Sequence, residues 1–443
     1  MTKLSTSEAE RAIHSLQSIL QFPTVSATAP DTGAYRECAA YIQQQLEGLH
    51  CLHDIQFLPE APDHSPVVVA CWKGKDETLP VIVLNSHYDV VPVAPSDWTV
   101  PAFDGWRANG NVYGRGAQDM KCVCVQYVEA IRKLSSIGFI PERSIWLSFV
   151  PDEEVGGGGM AALLDSTLYK AWPGIALALD EGLASTDNSF SVFYGERLPW
   201  WIDVTATGNT GHGSRFIEHT AVEQLMELCN KALAFREGQR IALHDSHDHH
   251  NCSHAVVAKK KQLGDVTSLN ITTLQAGVRV ADTYAYNCVP PVAKCSLDIR
   301  ISPHTPPSEI KDMLDSWCQE CSKSDDHKVS WNYIGGHGND LQQHATTSID
   351  ADINPWFTIF SDSLKEQGME LNPQVFPAAT DSRFLRALGI RAFGFSPMRN
   401  CEIMLHENDE YIPESVFIEG VEVYVGIIQA LGSQTREVDE RAK

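Results

Sequence analysis

Three short apolar runs in this chain each stop on a side chain able to bind a metal or move a proton. Val-Ile-Val-Leu-Asn-Ser leads into His87, Ser-Phe-Val-Pro-Asp-Glu into Glu154, and Ile-Ala-Leu-Ala-Leu-Asp into Glu181. Runs of this kind read as strands buried on both faces, as in parallel sheets covered by helices. Open sheets of that type build their sites in the crevice outside the carboxyl ends of the strands. The expected fold is therefore a layered α/β sheet whose chemistry gathers at one end. Asp119 and His406, each in a turn after strand-like sequence, join the three. Two imidazoles with three carboxylates suit two zinc ions sharing a bridging carboxylate, because zinc accepts nitrogen and oxygen donors readily. Metal-assisted hydrolysis is the expected chemistry.

A chain of 443 residues exceeds the roughly 250 to 300 that one core serves, so two domains are expected. The pattern predicts strands at 67–72, 81–84, 144–150 and 175–179 and a helix at 119–134, whose Val123, Tyr127, Val128, Ile131 and Leu134 share one face. Alternating strands and helices signal an α/β layer sheet. Near residue 198 the pattern changes: Trp200, Ile202, Val204 and Ala206 alternate with Trp201, Asp203, Thr205 and Thr207. That is a strand with two unlike faces. A helix at 220–235, strands at 266–273 and 293–301, a helix at 308–321 and a strand at 328–333 complete a small α+β domain of βαββαβ order. Because His406 lies beyond it, this domain reads as an insertion: 198–336 within a discontinuous catalytic domain, 1–197 and 337–443.

The net charge of −23, from 34 basic and 57 acidic residues, disfavours nucleic acid, whose phosphates require a basic surface. Anionic membrane surfaces are disfavoured likewise. No run approaches the roughly 18 to 20 consecutive apolar residues of a membrane span. Ser5 and Glu8 form a capping box ahead of Ile13, Leu16 and Leu20, with no apolar signal-peptide core, so a cytoplasmic location is expected. The twelve cysteines are scattered and read as free thiols. Cys318 and Cys321 fall on the helical pattern of Ile310, Met313, Leu314 and Trp317 and read as helix residues. The histidine-rich stretch 244–254 reads as a solvated loop, and Gly156 to Gly159 lacks the Gly-Lys-Ser/Thr of a phosphate loop.

In His87-Tyr88-Asp89 the outer two side chains point the same way, so Asp89 is expected to hold the far ring nitrogen of His87 and fix its tautomer. Asp119 follows a glycine-rich turn and leads into a helix, whose amino terminus favours a carboxylate. In Asp152-Glu153-Glu154, adjacent acids after a buried strand are costly unless a cation or proton compensates them. The simplest division gives Glu154 to a metal and Glu153 to proton transfer.

The stretches NSHYDVVPV, YGRGAQDMK, FVPDEEVGG, ALDEG, FYGERLPWW, GHGSRF, PAATDSRF, GFSPM and LHENDE resemble those of the aminoacylase-1 group. It belongs to the dinuclear zinc metallopeptidase family, with carboxypeptidase G and the succinyl-diaminopimelate desuccinylases. The resemblance runs from about residue 16 to 428. It implies a zinc-peptidase-like catalytic domain with an inserted lid and dimerisation domain, and zinc-dependent hydrolysis of small N-acyl-L-amino acids. A dipeptidase or specialised deacylase is the alternative. It further implies that His87 and Glu181 serve one zinc, Glu154 and His406 the other, with Asp119 bridging and Glu153 as catalytic acid and base. By the same resemblance His212 would steady the oxyanion across a homodimer interface, while Asn287, Arg300 and Thr380 would bind substrate. Two departures stand out: the histidine-rich loop is additional, and Gly213 replaces the alanine usual after the lid histidine.

Overall fold

In a computed structural model, residues 3–244, 261–334 and 343–442 are described. They divide into two compact units: 1–194 with 347–373 and 380–443, and 195–346 with 374–379. The sequence expectation placed the boundaries at 198 and 336. The second unit instead starts at Gly195, runs on to Thr346 and takes in the short segment 374–379. That segment is the last three residues of the strand Glu370–Phe376 and the three that follow it.

The first unit is built on strands β1 (Leu52–Phe57), β2 (Val68–Trp72), β3 (Val81–His87), β4 (Ile145–Val150), β5 (Ile175–Asp180), β6 (Ser189–Glu196), β7 (Glu370–Phe376) and β8 (Ala392–Gly394). Their order across the sheet is β1-β2-β4-β3-β5-β8-β6-β7. At its centre β4, β3, β5 and β8 run parallel. The period of two along β3 explains why both faces are covered: Ile82 and Leu84 enter one hydrophobic core, Val81 and Val83 the other. Every residue of β2, β3 and β4 is buried, as a central parallel sheet requires.

Three helices matter most for the site. Helix α1 (Thr6–Leu20) starts at the expected capping box, in which the Ser5 side chain accepts from Glu8 N–H and the Glu8 carboxylate from Ser5 N–H. Such a cap contributes about 1 kcal/mol. Helix α2 (Lys121–Ser136) begins two residues after Asp119 and is buried all round from Lys121 to Ile131, not on one stripe alone, because α1 and helix α3 (Glu414–Gly432) both pack on it. By length and composition α3 could cross a membrane, although Glu419 and Glu422 interrupt its apolar run; 67% of its apolar window is buried within the fold.

The second unit follows the expected βαββαβ order. Its sheet runs Ser268–Ala276, Val292–Ile301, Leu198–Thr207, Val329–Tyr333, all antiparallel. Leu198, Trp200, Ile202, Val204 and Ala206 face its core, with Cys318 and Cys321 of the helix Pro307–Cys321. The helix expected to end at Phe235 continues to His244, passing through Gly238, where a β-carbon would meet nothing within 4 Å. Of the histidine-rich stretch, 245–254 lies outside the described residues.

Candidate metal centre

Three neighbouring parallel strands deliver the predicted ligands. His87 is the last residue of β3 and pairs in register with Val150, the last of β4. The chain leaving β4 turns through Glu153 and Glu154, and Glu181 directly follows β5. Asp119 enters from the turn before α2, and His406 from the loop before α3.

The side chains converge in two groups, His87 with Glu153 and Glu181, and Asp119 with Glu154 and His406, the ligand atoms of each group lying within 4.8 Å of one another. Asp119 joins them. Its Oδ1 lies 3.0 Å from His87 Nε2 and its Oδ2 3.4 Å from His406 Nε2, so its two oxygens face different imidazoles, as a bridging carboxylate's would. Glu181 Oε2 is 2.8 Å from His87 Nε2, and Glu154 Oε2 is 3.2 Å from His406 Nε2.

Charge crowding governs this cluster. Burial, then the charges of Glu181, Asp381 and Glu154, push the Glu153 carboxyl well above the ordinary carboxylate range. Burial and Asp119 do the same to Glu181, and burial raises Glu154. Burial works to raise Asp119, but its bonds to His406 and His87 prevail and hold it low. The carboxylates Asp119 and Glu154 lift His406 to about 10, and His87 lies well above its usual value despite burial. A cluster of carboxylates this dense needs positive charge inside it. Imidazole and carboxylate donors around that need fit divalent zinc.

Asp89 departs from expectation. The His87 Nδ1–H donates to the backbone carbonyl of Asp89 at 3.1 Å, and the Asp89 carboxylate is farther, at 3.5 Å. The tautomer is still fixed, leaving Nε2 to face the cluster. The carboxylate itself, fully buried, accepts the backbone N–H groups of Glu153 and Glu154, each at 3.2 Å. Strand-end geometry aimed Asp89 correctly but could not show that the turn after β4 supplies its donors.

The remaining candidates fall elsewhere. Thr380 is buried in the first unit, where its Oγ1 accepts from Ser382 N–H. His212, Asn287 and Arg300 belong to the second unit. Gly211–His212 pairs with Cys288–Val289, bringing His212 Nε2 to 3.5 Å from Asn287 Nδ2. Ser214 N–H donates to His212 Nδ1 at 3.2 Å. A β-carbon on Gly213 would lie 3.4 Å from the Asn287 carbonyl, an ordinary contact, so the glycine does not reshape this pairing. Arg300 is not a free fork: its Nε and Nη2 already bind Asp298 at 2.7 and 3.1 Å.

Asp381 was missed. It is fully buried, neither carboxyl oxygen has a hydrogen-bond partner among the described residues, and burial with the nearby Asp180 raises it to about 8. Its one sequence signal is an acid in an otherwise small and apolar Pro-Ala-Ala-Thr-Asp. The glycine run belongs to the same packing: a β-carbon on Gly157, whose φ is +80°, would lie 2.7 Å from Asp381 Oδ1 and 2.4 Å from the Phe384 ring.

Known proteins resemble this chain in sequence and in fold. Aminoacylase-1 of Dictyostelium discoideum is 43% identical over 372 residues, covering 83% of this chain and 86% of that protein. Aminoacylase-1 of Sus scrofa is 40% identical over 408 residues, 91% of each. Among solved structures, an M20 family metallo-carboxypeptidase from Sulfolobus solfataricus superposes with a TM-score of 0.67 at 18% identity, over 95% of this chain and 99% of that one; at that identity the likeness concerns the fold. Residues 83–430 match the sequence profile of peptidase family M20/M25/M40, and the chain belongs to that family.

Proposed function

We propose that this protein hydrolyses N-acyl-L-amino acids to a carboxylic acid and a free L-amino acid, using two zinc ions held by His87, Asp119, Glu154, Glu181 and His406. The convergence of two ligand groups around the two oxygens of Asp119 carries this reading. The substrate class is supported by aminoacylases at 40% and 43% identity over more than four-fifths of each chain. Bound there, zinc supplies Lewis-acid polarisation of the acyl carbonyl and lowers the pKa of a water toward about 7.

Glu153 moves the proton. It takes one from the attacking water, whose oxygen adds to the acyl carbon, and returns it to the amine nitrogen as the C–N bond breaks. A carboxyl placed to accept and then donate serves both halves of the reaction. Asp89 fixes the turn that carries it. His212 Nε2–H, contributed from a second copy of the chain, would donate to the oxyanion. Asn287, Arg300 and Thr380 would bind the substrate's free carboxylate and its surroundings, with Arg300 shared between that carboxylate and Asp298.

The test is release of free amino acid from N-acetyl-L-methionine by metal-stripped and zinc-restored enzyme, beside a dipeptide panel. Zinc-dependent cleavage of the acetylated substrate is expected; preferred cleavage of dipeptides would move the chain to a peptidase activity. Sedimentation tests the homodimer, and a fully active monomer would contradict the role given to His212.

A further inference from the structure

The two ligand groups are supported in different ways. His87 ends β3 and Glu181 follows β5 directly, so the central sheet holds them. His406 lies in a loop outside any strand or helix, with φ at +60° and its side chain half exposed. Something other than regular structure must keep it opposite Asp119.

A buried cross-brace does so. Glu410, fully buried, accepts at Oε1 from the backbone N–H groups of Gln118 (2.7 Å) and Asp119 (3.3 Å), and at Oε2 from Gly116 N–H and Arg115 Nη1, both at 2.9 Å. Gln118 answers in the opposite direction. Its Nε2 donates to the carbonyls of Glu402 (2.9 Å) and Tyr411 (2.8 Å), and its Oε1 accepts from Met404 N–H at 3.1 Å. Arg115 adds donations to the carbonyls of Glu407 (3.1 Å) and His406 (3.4 Å). Each segment thus satisfies the other's buried backbone groups, one carrying Asp119 and the other His406. Left unmet, such buried groups would destabilise both segments.

We propose that Glu410 and Gln118 are positioning residues that bear chiefly on the metal affinity of the Asp119–Glu154–His406 position, the His87–Glu181 position meeting the brace only through the shared Asp119. The proposal rests on the two-metal reading above. Partners one shell out from a metal typically govern affinity by about 10- to 100-fold, and here the brace carries both Asp119 and His406 of one position but only the shared Asp119 of the other.

The experiment is calorimetric zinc titration of the metal-stripped full-length protein as wild type, Glu410→Gln and Gln118→Met, with His406→Ala and His87→Ala marking which binding event belongs to which position. In Glu410→Gln an amide NH2 must face backbone donors; Gln118→Met keeps the volume and removes the side-chain bonds of Gln118 to 401–411 while leaving Glu410 and its donors intact. The expected result is the event lost in His406→Ala weakened by about 10- to 100-fold and the other event weakened by much less, with kcat recovered by excess zinc and substrate KM unchanged. Should Glu410→Gln fail to fold, Gln118→Met carries the test. Equal weakening of both events, or neither, would overturn the brace while leaving the two-metal reading intact. A wild type that binds a single zinc would overturn the two-metal reading, and the brace with it.

Discussion

The carboxylate of Asp89 accepts the backbone N–H of Glu153 at 3.2 Å, so the residue proposed to carry the proton is tied to the strand end that presents His87. The same carboxylate accepts Glu154 N–H, satisfying two donors at the start of a turn where no earlier carbonyl is available to them. Ligand and proton carrier are thereby held in one frame. In a reaction sensitive to ångström-scale misplacement, that frame is worth as much as the identity of the groups.

Asp89→Asn tests it. An amide can accept through only one of its two positions, so one buried N–H loses its acceptor and meets another donor. Turnover should fall about 10- to 100-fold, the scale of supporting-residue losses around metals, with a lower unfolding temperature. A variant within twofold of wild-type kcat would show that the turn holds itself.

Glu153→Gln should separate chemistry from stability. The amide keeps the shape and removes a carboxyl whose charge is disfavoured by burial and by Glu181. Expected are native zinc content, unfolding temperature equal to or above wild type, and a kcat loss of at least about 10²- to 10⁴-fold. Near-native turnover with bound zinc would remove Glu153 from proton transfer.

Metal removal should destabilise the first unit. A ligand that binds only the folded chain at 100 times its dissociation constant contributes about 2.7 kcal/mol, so thermal scans with chelator and with added zinc should differ by several degrees. Binding should also release protons, since the imidazoles must give theirs up. An unfolding temperature indifferent to zinc would contradict the reading.

Helix α1 offers a pH-dependent test away from the site. The backbone N–H of Ser5 and then the ammonium of Lys133 hold Glu8 down to about 2, from an ordinary 4.5. A depressed carboxylate stabilises the folded state above its unfolded pKa and loses that contribution as pH falls through its folded one. Glu8→Gln should therefore cost about 0.5 to 1 kcal/mol at pH 7, a cap-sized effect, and the gap from wild type should close between about pH 4.5 and 2. Denaturant midpoints at several pH values measure it; a gap that persists unchanged at pH 2 would contradict the assignment.

The sequence by itself determined the strands that end in His87, before Glu154 and before Glu181, the capped start of α1, and the βαββαβ order of the second unit. Each is written in a local period of two or 3.6, which states the face a residue buries whatever lies opposite. The tertiary structure alone decided the rest. It set Asp119 between two imidazoles, gave the Asp89 carboxylate to the turn after β4, left Asp381 buried with no hydrogen-bond partner among the described residues, and joined Gln118 to the loop before Tyr411 and Glu410 to the turn at Asp119. These pairings link segments up to about three hundred residues apart. No local pattern records them, because hydrogen-bonding groups meet their partners only after the hydrophobic layers have fixed where each turn lies.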